Sequence, residues 1–321
     1  MPDPPVLYLL DASSYIHRAF HAVKGLTTSQ GAPTGAVQGD WLSDRPGNRF
    51  DAGTLESTGD RWDDYLVARD ELTDFLVEPH TVTDFKPGKG FGRFDAEYLP
   101  ATGDLNLTLR LNFLFVRGRS TTPVASGDLD WDLTSSALFI TEYINQVRSV
   151  WSGNHTFCCT RPGWEQLRAR TNVDVVLDDA NPHFNLIVEK IPAGKSRQCS
   201  VSPPEPDGSA STVTLNSESL LSTKKKSGWQ IPAMHETGHM LDLDDEYGHG
   251  GVADHSDLVE AEFGHPVIQN RDGRIMSNGM DISPEHGVTF LAALRAATEM
   301  PQWSATSCPA PTPEPMHPEA P

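Results

Sequence analysis

Apolar and polar residues alternate most regularly from Leu105 to Phe113, with Leu105, Leu107, Leu109, Leu111 and Phe113 on one side and Asn106, Thr108, Arg110 and Asn112 on the other. A period of two sustained this long predicts a strand with one buried and one wet face, as in an antiparallel sheet covered on one side. Shorter stretches at Thr81–Phe85, Val173–Leu177 and Phe184–Glu189 predict further strands, and Gly88-Lys89-Gly90-Phe91-Gly92 breaks the pattern after the first. The period becomes helical from Leu138 to Val150, through Phe139, Tyr143 and Val147. It does so again from Pro284 to Met300, through Val288, Leu291, Leu294 and Ala297, with a helical turn expected at Asp257–Phe263 and a short helix at Asp60–Phe75.

Between these stretches the chain is polar. Residues 40–78 read as linker or weakly ordered, 200–227 as a Ser-, Pro-, Thr- and Lys-rich loop, and 304–321 as a disordered Pro-rich tail. Strands come first and helices later, so the expected class is α+β. A β-rich antiparallel domain at 79–199 would precede a second domain at 200–303. Length agrees, since 321 residues hold about two domains. Trp151 and Trp164 read as core anchors, and His80, His155 and His183 as surface or hydrogen-bonded histidines without a partner at metal spacing.

Charge narrows the partners. With 25 Lys+Arg against 44 Asp+Glu the net charge is -19, a field that repels phosphate backbones and suits basic peptides. Nucleic acid is therefore not expected for the main domain, and neither is a membrane. Val6–Leu10 is too short for a span or a signal h-region, so the chain reads as cytoplasmic when made, with export by a route without a signal peptide open to it. The 4 cysteines are too few for a disulfide framework, and buried free thiols are the expectation.

The chemistry is concentrated at Ala233–Tyr247. His235 and His239 are four apart, hence on one face of a helix, where both can hold one metal ion; Glu236 adjoins that face and reaches a water on the metal instead. Tetrahedral zinc then needs a third protein ligand and an open position. Asp245, six residues beyond His239, is in place for it, and Glu246 competes; His249 and His255 come next. Met234, Met240, Leu241 and Leu243 supply an apolar lining, and Gly273–Gly279 reads as a tight turn carrying Met276.

The stretch from His235 to Asp245 resembles the zinc signature of the metzincin metallopeptidases, closest to their snapalysin-like branch, and Ile275-Met276-Ser277 resembles the Met-turn of that clan. The resemblance covers about residues 228–294. It implies a metzincin-like catalytic domain, Zn2+ held by His235, His239 and Asp245, and hydrolysis of a peptide or protein substrate with Glu236 as general base. Met276 would be a hydrophobic floor. One departure stands out: Asp242 occupies the family's glycine position, where the chain leaves the helix with positive φ.

Residues 6–39 differ from the rest. Leu10-Asp11-Ala12-Ser13-Ser14-Tyr15 and Gly31-Ala32-Pro33-Thr34-Gly35-Ala36-Val37 resemble the opening of the 5′-nuclease domain of bacterial DNA polymerase I, which would make Asp11 a vestigial metal position. The nuclease needs further carboxylates that nothing after Gly39 supplies, so 1–39 reads as a remnant. The expectation is a zinc endopeptidase. Its rivals are a non-enzymatic assembly protein with a closed structural zinc site, and a 5′-nuclease fragment.

Overall fold

The computed structural model describes residues 71–88, 90–119, 129–161, 164–203, 210–225, 228–247 and 255–306. They belong to one compact unit that begins at Val67. Asp11 and the rest of the N-terminal remnant, most of the expected 60–75 helix, His249 and the tail beyond residue 306 lie outside the described residues.

Among the described residues the architecture is α+β, with helices packed on a mixed sheet of nine strands. Its centre is β3 (Asp104–Val116), the strand that alternates most clearly in sequence. On one edge β3 pairs in parallel with β5 (Arg168–Leu177). The other edge is shared: β2 (Phe94–Leu99) runs antiparallel along its first half and β6 (Phe184–Glu189) parallel along its second. Beyond β2 lies β1 (His80–Phe85), beyond β6 are β8 (Ser211–Asn216) and β7 (Ser200–Ser202), and beyond β5 are β4 (Thr156–Cys159) and β11 (Trp303–Ser304). A small hairpin, β9 (Thr223–Lys224) with β10 (Trp229–Gln230), stands apart.

The sheet is thus mixed, not antiparallel as the alternation suggested. Alternation reports one wet face, and a parallel core strand has the same signature when helices cover only one side. The 200–227 stretch is no loop either. Thr212, Val213, Thr214 and Leu215 alternate within it, and the β-branched side chains of Thr212, Val213 and Thr214 suit a pleated surface. Because β8 bonds to β6, segments on both sides of residue 200 share one sheet, and Val213 and Leu215 join the core of Leu105, Leu107, Leu109 and Leu111.

The apolar face of the sheet is covered by α1 (Leu133–Trp151), α2 (Pro232–Met240) and α4 (Val288–Thr298), the last entered through a 3-10 turn at Pro284–Gly287. A short α3 (Ser256–Phe263) packs beside α4 through Val259 and Val288. Asp132 caps α1 by accepting from Ser135 N–H at 2.6 Å. The buried side of α1 presents Phe139, Tyr143, Val147 and Trp151, and it grips α2. The Trp151 indole N–H donates to Met234 O at 3.2 Å, and the Tyr143 hydroxyl meets Thr237 Oγ1 at 2.9 Å. Trp164 is buried, as its reading as an anchor required. Cys159 and Cys199 are buried free thiols, whereas Cys158 is disulfide-bonded, against expectation. No helix among the described residues is long and apolar enough to cross a membrane.

Candidate metal centre

The helix α2 starts at Pro232, where a missing N–H costs nothing, and lies almost wholly buried. Its end is a Schellman motif: Leu243 N–H donates to Gly238 O and Asp242 N–H to His239 O, each at 3.0 Å, with Asp242 left-handed at φ 68°. This reversal folds the chain back over the helix. It brings Leu243 O within 2.7 Å of His239 Nδ1 and carries Asp245 to the histidine face.

His235, His239 and Asp245 converge, each offering one ligand atom within 4.8 Å of the others. Asp245 Oδ1 lies 3.1 Å from His235 Nε2 and 3.4 Å from His239 Nε2. A tetrahedral ion bonded at about 2.0–2.2 Å would space its ligand atoms by roughly 3.4 Å, so the triad has the dimensions of such a site. The far side of each imidazole is occupied: His235 Nδ1 donates to Ile275 O at 2.8 Å, and His239 Nδ1 to Leu243 O. Both Nε2 lone pairs are thereby turned inward, the posture of metal ligands held by outer partners. Asp245 Oδ1 is buried and finds no conventional hydrogen bond. Three acceptor atoms facing one another fit a cation between them.

Electrostatics agree. Burial opposes charge on Asp245, but the two facing histidines outweigh it and hold the carboxyl well below its ordinary range. Burial also works against a charged His239, yet Asp245 and Glu236 raise its pKa. Glu236, 6% exposed, is pushed up by burial against the opposing pull of His239 and His235. A carboxylate tuned upward beside a metal site suits general-base work.

Ile275 and Met276 support the helix. Ile275 O holds His235, and Met276, fully buried, packs on Gly238. A Cβ on Gly238 would stand 2.2 Å from Met276 Sδ and 3.2 Å from Trp151, so only glycine lets the helix sit this close. Met276 O accepts the N–H of Glu246 at 2.8 Å.

Glu246 turns away from the triad. It is fully buried against Arg274 and His286, both at 3.2 Å, and Arg274 also reaches Glu285 at 2.8 Å. His286 Nδ1 accepts from Ser283 N–H, which leaves its Nε2–H for Glu246. His255, the other reserve candidate, is buried at the start of α3 and accepts the Asp244 N–H through Nδ1 at 3.0 Å. His80, His155 and His183 lie outside the triad; His183 accepts from Arg110 N–H at 3.0 Å.

The triad opens into a cleft of about 220 Å³ lined by Glu236, Cys199, Val201, Gly90, Phe91, Asp242 and Tyr247. Several of these carried no functional signal in sequence. Tyr247 stacks toward His235 with ring centroids 6.1 Å apart, and burial together with Asp245 raises its pKa. The 88–92 glycines were readable only as a break between strands.

No family model matches the chain, and no solved structure does. DNA polymerase I of Pseudomonas aeruginosa is 67% identical to it over 33 residues, 10% of this chain and 4% of the polymerase. That short match supports the N-terminal resemblance as a fragment, and a span of 4% carries over nothing of the polymerase's activity.

Proposed function

We propose that the protein is a zinc-dependent endopeptidase of the metzincin kind. The observation that carries this reading is the triad itself: two histidines whose outer nitrogens are bound to carbonyls, and a buried carboxylate oxygen without a hydrogen bond between their inner ones. His235 Nε2, His239 Nε2 and Asp245 would hold the metal. Bound zinc supplies a Lewis acid and lowers the pKa of a water toward ~7.

The chain's own residues do the rest. Glu236 takes the proton from the attacking water and returns it to the leaving amine, a task favoured by its upward-shifted carboxyl. The walls of the cleft would hold the peptide. A closed structural site would need a fourth protein ligand. Among the described residues the His/Cys/Asp/Glu group that could hold an ion has three members, and Glu246 is committed to Arg274 and His286.

The test is a metal analysis of the purified protein followed by casein digestion with and without a chelator, repeated on Glu236→Gln. One equivalent of zinc, chelator-sensitive digestion, and a zinc-bound but inactive Glu236→Gln protein are expected. Zinc without digestion, or digestion undiminished in Glu236→Gln, would overturn the reading.

A further inference from the structure

Three glycines at alternate positions converge on one residue, Asp242. A Cβ added at Gly88, Gly90 or Gly92 would stand 2.9, 2.5 or 2.1 Å from an atom of Asp242. Gly92 N–H donates to Asp242 Oδ1 at 2.9 Å, and Arg93 N–H to Met240 O at 3.0 Å. The end of the loop is therefore stitched both to the Asp242 side chain and to the last turn of α2.

Asp is an expensive choice for the end of this helix. A left-handed φ costs a non-glycine residue roughly 1 kcal/mol. A carboxylate at a helix C-terminus also faces the negative end of the dipole. Asp242 is moreover only 3% exposed. Helix termination would be served better by glycine, so the carboxylate answers to something outside the helix, and the Gly92 N–H is one donor that it meets there. The loop it holds carries Phe91, an aromatic left 41% exposed on the wall of the cleft that contains the triad. An exposed aromatic at that place is a platform for an apolar group.

We propose that Asp242 is a positioning residue that fixes the segment Gly90–Gly92 as one rim of the cleft, and that Phe91 on this rim selects peptides with a large apolar side chain near the cleaved bond. The proposal rests on the peptidase reading.

Asp242→Gly keeps the left-handed turn and removes the acceptor, Asp242→Asn keeps both, and Phe91→Ala removes the platform. The zinc-loaded full chain is used throughout. Amide hydrogen exchange across Gly90–Arg93 should accelerate about tenfold in Asp242→Gly and stay near the wild-type rate in Asp242→Asn. Peptides that carry Phe, Leu, Ser or Gly at one position at a time should show an apolar preference in kcat/KM. Asp242→Gly and Phe91→Ala should each lose about tenfold of it through KM, with zinc retained. Unchanged exchange in Asp242→Gly overturns the tether, and an unchanged preference in Phe91→Ala overturns the selection. A wild-type protein that binds zinc and shows the exchange pattern but cleaves no peptide removes the peptidase reading and the selection with it, while the tether stands.

Discussion

Asp245 and Glu246 are neighbours in the chain and face opposite ways, Asp245 Oδ1 to His235 Nε2 at 3.1 Å and Glu246 Oε1 to His286 Nε2 at 3.2 Å. The backbone between them is held on both sides, by Glu246 N–H to Met276 O at 2.8 Å and by Asn270 N–H to Glu246 O at 2.6 Å. One carboxylate is aimed at the two histidines because the other is anchored on Arg274 and His286.

This pair predicts two different failures. Losing an outer partner of a metal ligand costs 10–100-fold in affinity, so losing the ligand itself in Asp245→Ala should weaken zinc by about a hundredfold or more, with a smaller loss of apo-protein stability than in Glu246→Ala because Asp245 is less buried. Glu246→Ala leaves Arg274 and His286 short of a buried partner and should cost stability, about 3 kcal/mol, with Glu246→Gln milder. Zinc titration and thermal unfolding of the three variants separate the cases; zinc lost in Glu246→Ala without destabilisation would contradict the assignment.

Gly238→Ala should be costly despite the high helix propensity of alanine. The added methyl meets Met276 and Trp151, both fully buried. Overpacking of this kind costs about 1–3 kcal/mol. A drop in the denaturant midpoint with weaker zinc binding is expected, and partial recovery on adding Met276→Ala would trace both effects to the same contact.

Acid should destabilise the fold well above the range of carboxylate titration. Burial pushes His155, His183 and His255 down to about 4. Unfolded, each titrates near 6.5. Between these values the unfolded chain binds protons that the folded one refuses, so stability is full above about pH 6.5 and falls as the pH drops through about 4. The melting temperature should decline steadily from pH 7 to pH 4, by more than about 5 °C. A flat profile to pH 5 would mean these imidazoles are protonated in the folded state.

Removing residues 1–39 should leave zinc binding and the unfolding transition unchanged. All of the described core lies between Leu72 and Ala305. Comparison of the full and shortened proteins by calorimetry and zinc titration checks this, and a loss of either property would show that the remnant contributes to the folded protein.

Covalent geometry made part of this protein legible from its sequence. His235, Glu236 and His239 share a helix face because 3.6 residues make a turn, and Leu105 to Phe113 alternate because a strand's period is two. The helices near 138–150, 257–263 and 288–298 follow from the same local rule. Choice of partner is not local. The alternation of β3 could not say that β5 and β6 run parallel to it, since pairing direction depends on chain ends far away in sequence. Thr212, Val213, Thr214 and Leu215 were hidden by the Ser-, Pro- and Lys-rich chain around them until β6 supplied an edge. Spacing favoured Asp245 over its neighbour Glu246 but could not aim either side chain; their orientations were decided by Met276 and Arg274, about thirty residues on, through hydrogen bonds that exist only once the fold has closed. The glycines at 88, 90 and 92 looked like a break in a strand pattern, and only the approach of Asp242, 150 positions from Gly92, shows what their missing side chains leave room for.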